Sequence, residues 1–166
     1  IDGATLDGLL ATMEAHPRAG VVAPRLVYPD GTLQLSCRRF PTLSVILLRG
    51  LRLRWLCPKA VDTYLMSDWD HASSRRVDWV IGACMLLRRE AIDAVGLLDE
   101  CYFLYYEDVD LCLRMKQAGW DVLYEPQRVV VHEHRRESAA LLPRRQTLAH
   151  ARSVVRLFGK HPLAWW

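Results

Sequence analysis

Paired cysteines, long apolar runs and a strong excess of one charge are all missing from this 166-residue chain, and it has little lysine. The five cysteines, at 37, 57, 84, 101 and 112, form no Cys-x-x-Cys pair and are odd in number, which argues against a zinc ribbon or a disulfide framework. They read as buried thiols of a reducing compartment. The longest apolar stretch, Leu43 to Leu48, is cut by Arg49, Arg52 and Arg54, well short of the roughly 20 residues of a spanning helix. The start, Ile1-Asp2-Gly3, has neither a basic nor an apolar leader segment and reads as a chain entered midway. A net charge of +3, with no predicted face that interleaves basic residues and aromatics, argues against a nucleic-acid partner. Lysine is scarce because 19 of the 22 cationic residues are arginine, the side chain suited to phosphate and carboxylate. What remains is globular in composition, 51% apolar and 25% charged, with length for one domain.

Local signals alternate between helix and strand. Thr5 caps an expected helix to about Ala15, with Leu6, Leu9, Leu10 and Met13 at helical spacing. Gly20 to Ala23 reads as a short buried strand, Tyr28-Pro29-Asp30-Gly31 as a type I turn, and Thr32 to Ser36 as a hairpin strand. Residues 38–76 read as a variable, lid-like insertion. Val77 to Leu87 is a strand candidate interrupted at Gly82-Ala83, and Arg89 to Val95 a helix closed by Gly96. A helix opening at Tyr106 or Glu107 ends at Gly119, followed by strands over Asp121 to Tyr124 and Arg128 to His132. An amphipathic helix over Leu148 to Phe158 leads into a tail within residues 148–166. The class is α/β.

The densest chemical signal is Asp99 to Asp110, five carboxylates around an aromatic run. Aromatic walls desolvate a carboxylate and raise its proton affinity, which makes an acid side chain a usable base near neutral pH. The same Glu107 and Asp108 also complement a helix dipole in its first turn, a purely structural use. His132 and His134 share one side of an extended segment and, with a carboxylate, would suit a metal, although histidines at strand ends are commonplace.

The order of motifs adds to this. Val77-Asp78-Trp79-Val80-Ile81-Gly82-Ala83-Cys84, Gly96-Leu97-Leu98-Asp99-Glu100, Tyr106-Glu107-Asp108-Val109-Asp110-Leu111-Cys112-Leu113-Arg114, Ala118-Gly119-Trp120 and Val131-His132 together resemble the C-terminal half of family 2 glycosyltransferases. The bacterial rhamnosyltransferase-like subgroup is the nearest in pattern, and Gly20 to Leu26 and Tyr28 to Gly31 also fit, so the resemblance covers about residues 1–160. It implies the acceptor-side part of a GT-A fold, a mixed sheet flanked by helices. The implied chemistry is inverting transfer of a sugar from a dTDP- or UDP-sugar to a glycan or lipid-linked acceptor hydroxyl, in bacterial cell-surface polysaccharide or lipid-linked glycan synthesis. By that resemblance Asp108 is the base, Glu107 its support and His132 a ligand of a divalent cation, Mg2+ or Mn2+. Trp79, Gly82 and Ala83 would line the sugar and acceptor pocket, with Trp79 equally readable as a core aromatic. Asp99 and Glu100 would bond the acceptor. Arg114 would reach phosphate, or else pair with Asp110 at i,i+4.

The family's metal-binding Asp-x-Asp is expected before residue 1, with the donor-binding half, so this chain alone is expected to be inactive. Asp68-Trp69-Asp70 and Asp108-Val109-Asp110 spell the motif but stand in the wrong places, the second on a helix where residues two apart diverge. Two other classes compete. Arg49, Arg52, Arg54 and Trp55 amid leucines, with Arg144, Arg145, Arg152, Arg156 and Trp165-Trp166, would suit an interaction module on an anionic membrane surface, or else form an ordinary solvated face. Glu107, Asp108, Asp110, His132 and His134 would make a metal hydrolase if they converged. The expected location is cytoplasmic, peripheral at the inner face of the cell membrane.

Overall fold

A computed structural model describes residues 1–133 and 144–162. The elements in order are α1 (Gly3–Ala15), β1 (Ala19–Val27), β2 (Cys37–Arg38), α2 (Leu43–Gly50), a 3-10 turn (Arg54–Leu56), α3 (Pro58–Leu65), β3 (Arg75–Val77), β4 (Trp79–Val80), β5 (Leu86–Leu87), α4 (Arg89–Val95), α5 (Glu107–Gln117), β6 (Asp121–Val131) and α6 (Arg144–Lys160).

The sheet is built on β1, whose residues are almost all buried, as a strand covered on both faces must be. The order is β3-β6-β1-β5, with β1 and β6 parallel and the short outer strands antiparallel, a mixed sheet flanked by helices. The faces separate by alternation. Val22 meets Leu9 and Met13 of α1 on one side, while Val21 joins Leu111, Cys112 and Met115 of α5 on the other.

Several expectations need correcting. Helix α1 is capped by Asp2, whose carboxylate accepts the Thr5 amide at 2.7 Å, so Thr5 lies inside the helix. Leu6 and Leu10 stand exposed. The turn at Tyr28 to Gly31 forms, its Gly31 amide bonding Tyr28 carbonyl at 2.9 Å and Gly31 taking φ of +80°. Beyond it only a single bridge, Val27 to Leu33, replaces the expected hairpin strand. The two expected strands at 121–132 are one, and Glu125-Pro126 marks a bulge. Pairing jumps from Pro24–Glu125 to Arg25–Val129, and Pro24 and Pro126, on the two strands at the break, have no amide to give to the ladder.

Within 38–76 the chain folds into α2 and α3, and Val45, Val61, Tyr64 and Met66 are buried there. The thiols divide. Cys37 and Cys112 are buried and pushed up to about 12 by desolvation, whereas Cys57 and Cys101 are exposed. No helix among the described residues is long and apolar enough to cross a membrane.

Candidate active site

Two short strands and one helix end build the site. β2 and β4 pair so that Arg38 stands opposite Trp79, and the chain leaving β4 is held by the Ile81 amide on Ser36 carbonyl at 3.0 Å. This delivers Gly82 to the first turn of α5, where its amide donates to Asp108 Oδ2 at 3.1 Å. The other oxygen accepts the Val109 amide at 2.8 Å. Gly82 and Ala83 are both exposed, so the carboxylate lies beside an open surface. A Cβ at Gly82 would lie 3.7 Å from the Asp108 Cβ.

Burial, with the neighbouring Glu107 charge second, raises Asp108 to about 6 against the pull of its two amide bonds and of Arg38. Glu107 keeps one buried carboxylate oxygen, Oε2, without a hydrogen-bond partner among the described residues. The approach to this turn is strained. Tyr105 and Tyr106 take φ of 62° and 72°, a left-handed conformation that costs a bulky side chain on the order of 1–3 kcal/mol. Nothing in residue type marks such a pair, so the sequence reading missed it.

Asp110 faces elsewhere. Fully buried, it accepts Tyr102 hydroxyl at 3.2 Å, Arg114 Nε at 2.7 Å, Lys160 Nζ at 3.0 Å and His161 Nε2 at 2.8 Å. Burial works to raise its pKa, but the bonds from His161, Lys160 and Arg114 outweigh this and draw it down. Asp108 and Asp110 therefore diverge, as helical geometry requires.

The remaining expected site residues separate into two groups. Arg114 spends its other donors on the carbonyls of Val95, Gly96 at 3.1 Å and Leu97 at 2.8 Å, so it clamps the α4–α5 connection and does not reach out to a phosphate. Asp99 binds Arg156 and Lys160 of α6 at 3.1 and 2.9 Å, and Glu100 is exposed. Trp79 is a core aromatic, buried, with its indole donating to Arg39 carbonyl at 2.8 Å.

His132 pairs with Gln34, its Nδ1 lying 2.9 Å from Oε1 while Gln34 Nε2 donates to His132 carbonyl at 2.9 Å. With Oε1 as acceptor, Nδ1 carries the proton and the ring's lone pair falls on Nε2, the arrangement of a ligating imidazole. Yet among the described residues no three His, Cys, Asp or Glu side chains converge, so this set by itself does not fit a cation. The hydrolase constellation is not assembled there either; His134 lies outside the described residues.

One cluster escaped the sequence reading. Arg38 lies over the Tyr64 and Trp79 rings at 5.7 and 5.4 Å, and Arg49 over Tyr64 at 5.1 Å. His150 of α6 packs on the rings of Tyr105 and Tyr106 at 5.6 and 5.3 Å.

Fold and site together define an α/β protein that offers a carboxylate of near-neutral proton affinity on an open surface. Residues 60–149 match Glycosyltransferase like family 2, and the chain belongs to that family. It is 35% identical over 166 residues to the N-acetylglucosaminyl-diphospho-decaprenol L-rhamnosyltransferase of Mycobacterium tuberculosis, across 98% of this chain and 52% of that protein. Rhamnosyltransferase WbbL of Escherichia coli is 33% identical over 100 residues, 58% of this chain and 34% of its own. The pre-mycofactocin glycosyltransferase of M. tuberculosis is 36% identical over 159 residues, 93% of this chain and 30% of its own. The chain thus spans about half the length of the first of these relatives, and less of the others.

Proposed function

We propose that this chain is the acceptor-side part of a transferase that moves a sugar, rhamnose by its relatives, from a nucleoside diphosphate to an acceptor hydroxyl with inversion. Asp108 takes the hydroxyl proton as that oxygen bonds to the anomeric carbon. The bond from that carbon to the diphosphate breaks, and the dTDP or UDP leaves. Supporting this is one observation above the others: a desolvated carboxylate raised to about 6 beside the exposed Gly82 and Ala83. Glu107 contributes charge that keeps the Asp108 proton affinity high. The name of the mycobacterial relative supports a lipid-diphosphate-linked acceptor, hence work at the inner face of the cell membrane in cell-surface glycan synthesis.

The divalent cation generally associated with this family would offset the diphosphate charge. The described residues assemble no site for it, so no step here is routed through one. We place the donor pocket and the Asp-x-Asp upstream of these residues, and the chain alone as inactive. Titrating the isolated chain with nucleotide sugars and Mn2+ tests this; transfer to an acceptor would contradict it.

A further inference from the structure

Helix α6 follows the approach to the Asp108 turn, and its contacts repeat along one face. His150 packs on the rings of Tyr105 and Tyr106 at 5.6 and 5.3 Å, Ser153 Oγ donates to Leu104 carbonyl at 2.9 Å, Leu157 is fully buried, and His161 reaches Asp110 at 2.8 Å. Steps of three, four and four residues put these side chains on a single stripe. Arg156 and Lys160 add the ring of Tyr102, at 5.6 and 5.9 Å from its centre.

The start of α5 needs such support. Helices α1 and α2 begin at Asp2 and Thr42, whose side chains accept a first-turn amide. Tyr106, at the same position of α5, makes no side-chain cap and is left-handed, as is Tyr105 before it. Two successive bulky residues in that conformation persist only where their surroundings hold them. Asp108 lies two residues on, and the Gly82 and Val109 amides that fix its carboxylate meet it only if the helix starts there. His150 is the α6 side chain that touches both tyrosines. Burial first, and then the Arg49 charge, lower its pKa, so the ring packs on them uncharged.

We propose that His150 is a positioning residue for the transfer: packed on Tyr105 and Tyr106, its ring holds the left-handed start of α5 and so the direction of the Asp108 carboxylate. This rests on the reading of Asp108 as proton acceptor and adds how a distant helix keeps that acceptor aimed. The groups acting on Asp108 are Glu107, Arg38 and the Gly82 and Val109 amides; those acting on His150 are Tyr105, Tyr106 and Arg49 of α2. A substitution at 150 alters none of these, so a change in the Asp108 titration reports a displaced carboxylate.

Two readouts test this on the protein joined to the donor-binding half proposed for it. The first needs no transfer: an NMR titration of the aspartate carboxyl carbons, with the Asp108 resonance assigned by its loss in Asp108→Asn. His150→Ala should move the Asp108 midpoint from about 6 down by about half a pH unit or more, as the carboxylate slips toward solvent. The second is steady-state kinetics, where the same variant should lose about tenfold or more in kcat with acceptor KM nearly unchanged. His150→Phe, which keeps a ring against both tyrosines, should restore midpoint and kcat. If His150→Ala does not fold, His150→Gln is read in its place with the same expectation. Met13→Ala, in the α1 core on the other face of the sheet, should lower stability yet leave the Asp108 titration where it is.

The proposal falls if His150→Ala leaves the Asp108 midpoint where it was, if it leaves kcat unchanged although Asp108→Asn abolishes transfer, if His150→Phe restores neither, or if Met13→Ala moves the midpoint as far. The second of these outcomes strikes this proposal alone. A midpoint that follows His150 while transfer survives Asp108→Asn strikes the reading of Asp108 as base alone.

Discussion

At the scale of single residues, Asp108 is held at a cost. A carboxyl whose folded pKa, about 6, exceeds its unfolded 3.8 binds protons more tightly when folded, so stability falls as pH rises from about 4 to 6 and stays lower above. Asp108→Asn removes that penalty. Urea unfolding at pH 8 should show the variant more stable by about 1–2 kcal/mol, a figure reduced from the full shift for partial solvent access. Gly82→Ala, by contrast, should cost under about 1 kcal/mol, since its Cβ would meet Asp108 Cβ only at ordinary contact distance, 3.7 Å. The place of Asp108 in the first turn of α5 was legible in the sequence, because carboxylates at a helix start after an aromatic run form a local pattern. The strained Tyr105-Tyr106 pair and the stacking of Arg38 and Arg49 on Tyr64 were not, since backbone angles and contacts between β2, α2 and α3 leave no local trace.

At the scale of elements, α6 is fastened to the site's own helix. Lys160 bridges Asp99 and Asp110, His161 completes the Asp110 cluster, Ser153 Oγ donates to Leu104 carbonyl at 2.9 Å, and Leu157 is fully buried. Asp110→Asn leaves Arg114, Lys160 and His161 without their acceptor charge and should cost about 3–5 kcal/mol in denaturant midpoints. Because the folded Asp110 pKa lies below 3.8, its contribution is present above that value and is lost as pH falls through the folded pKa. A second element-level prediction concerns Gly20. A Cβ there would come within 2.9 Å of Trp120 Cβ, 3.0 Å of Met115 Sδ and 3.2 Å of Ala91 Cβ, so Gly20→Ala should destabilise by about 1–3 kcal/mol. The helices α4 and α5 were readable from capping and period. The fusion of two expected strands into β6 was not, because a Glu-Pro step looks the same in a loop and in a bulge.

At the scale of the molecule, β1 and β6 carry α5, and the β2–β4 pair brings Gly82 to its first turn, so the Asp108 carboxylate is met by the Gly82 amide and by the charge of Arg38. Membership in the glycosyltransferase-like family 2 follows from the sequence over residues 60–149, and the sheet explains how that stretch positions Asp108. The account's central claim is that Asp108 is the proton acceptor for sugar transfer, and the pH dependence of kcat/KM tests it most directly, measured on the protein together with the donor-binding half proposed for it. The unaltered enzyme should lose about tenfold per pH unit below about 6. Asp108→Asn should lower the rate by a factor on the order of a hundred or more and abolish that limb. A variant within tenfold of the unaltered rate, with the limb near pH 6 intact, would contradict the account.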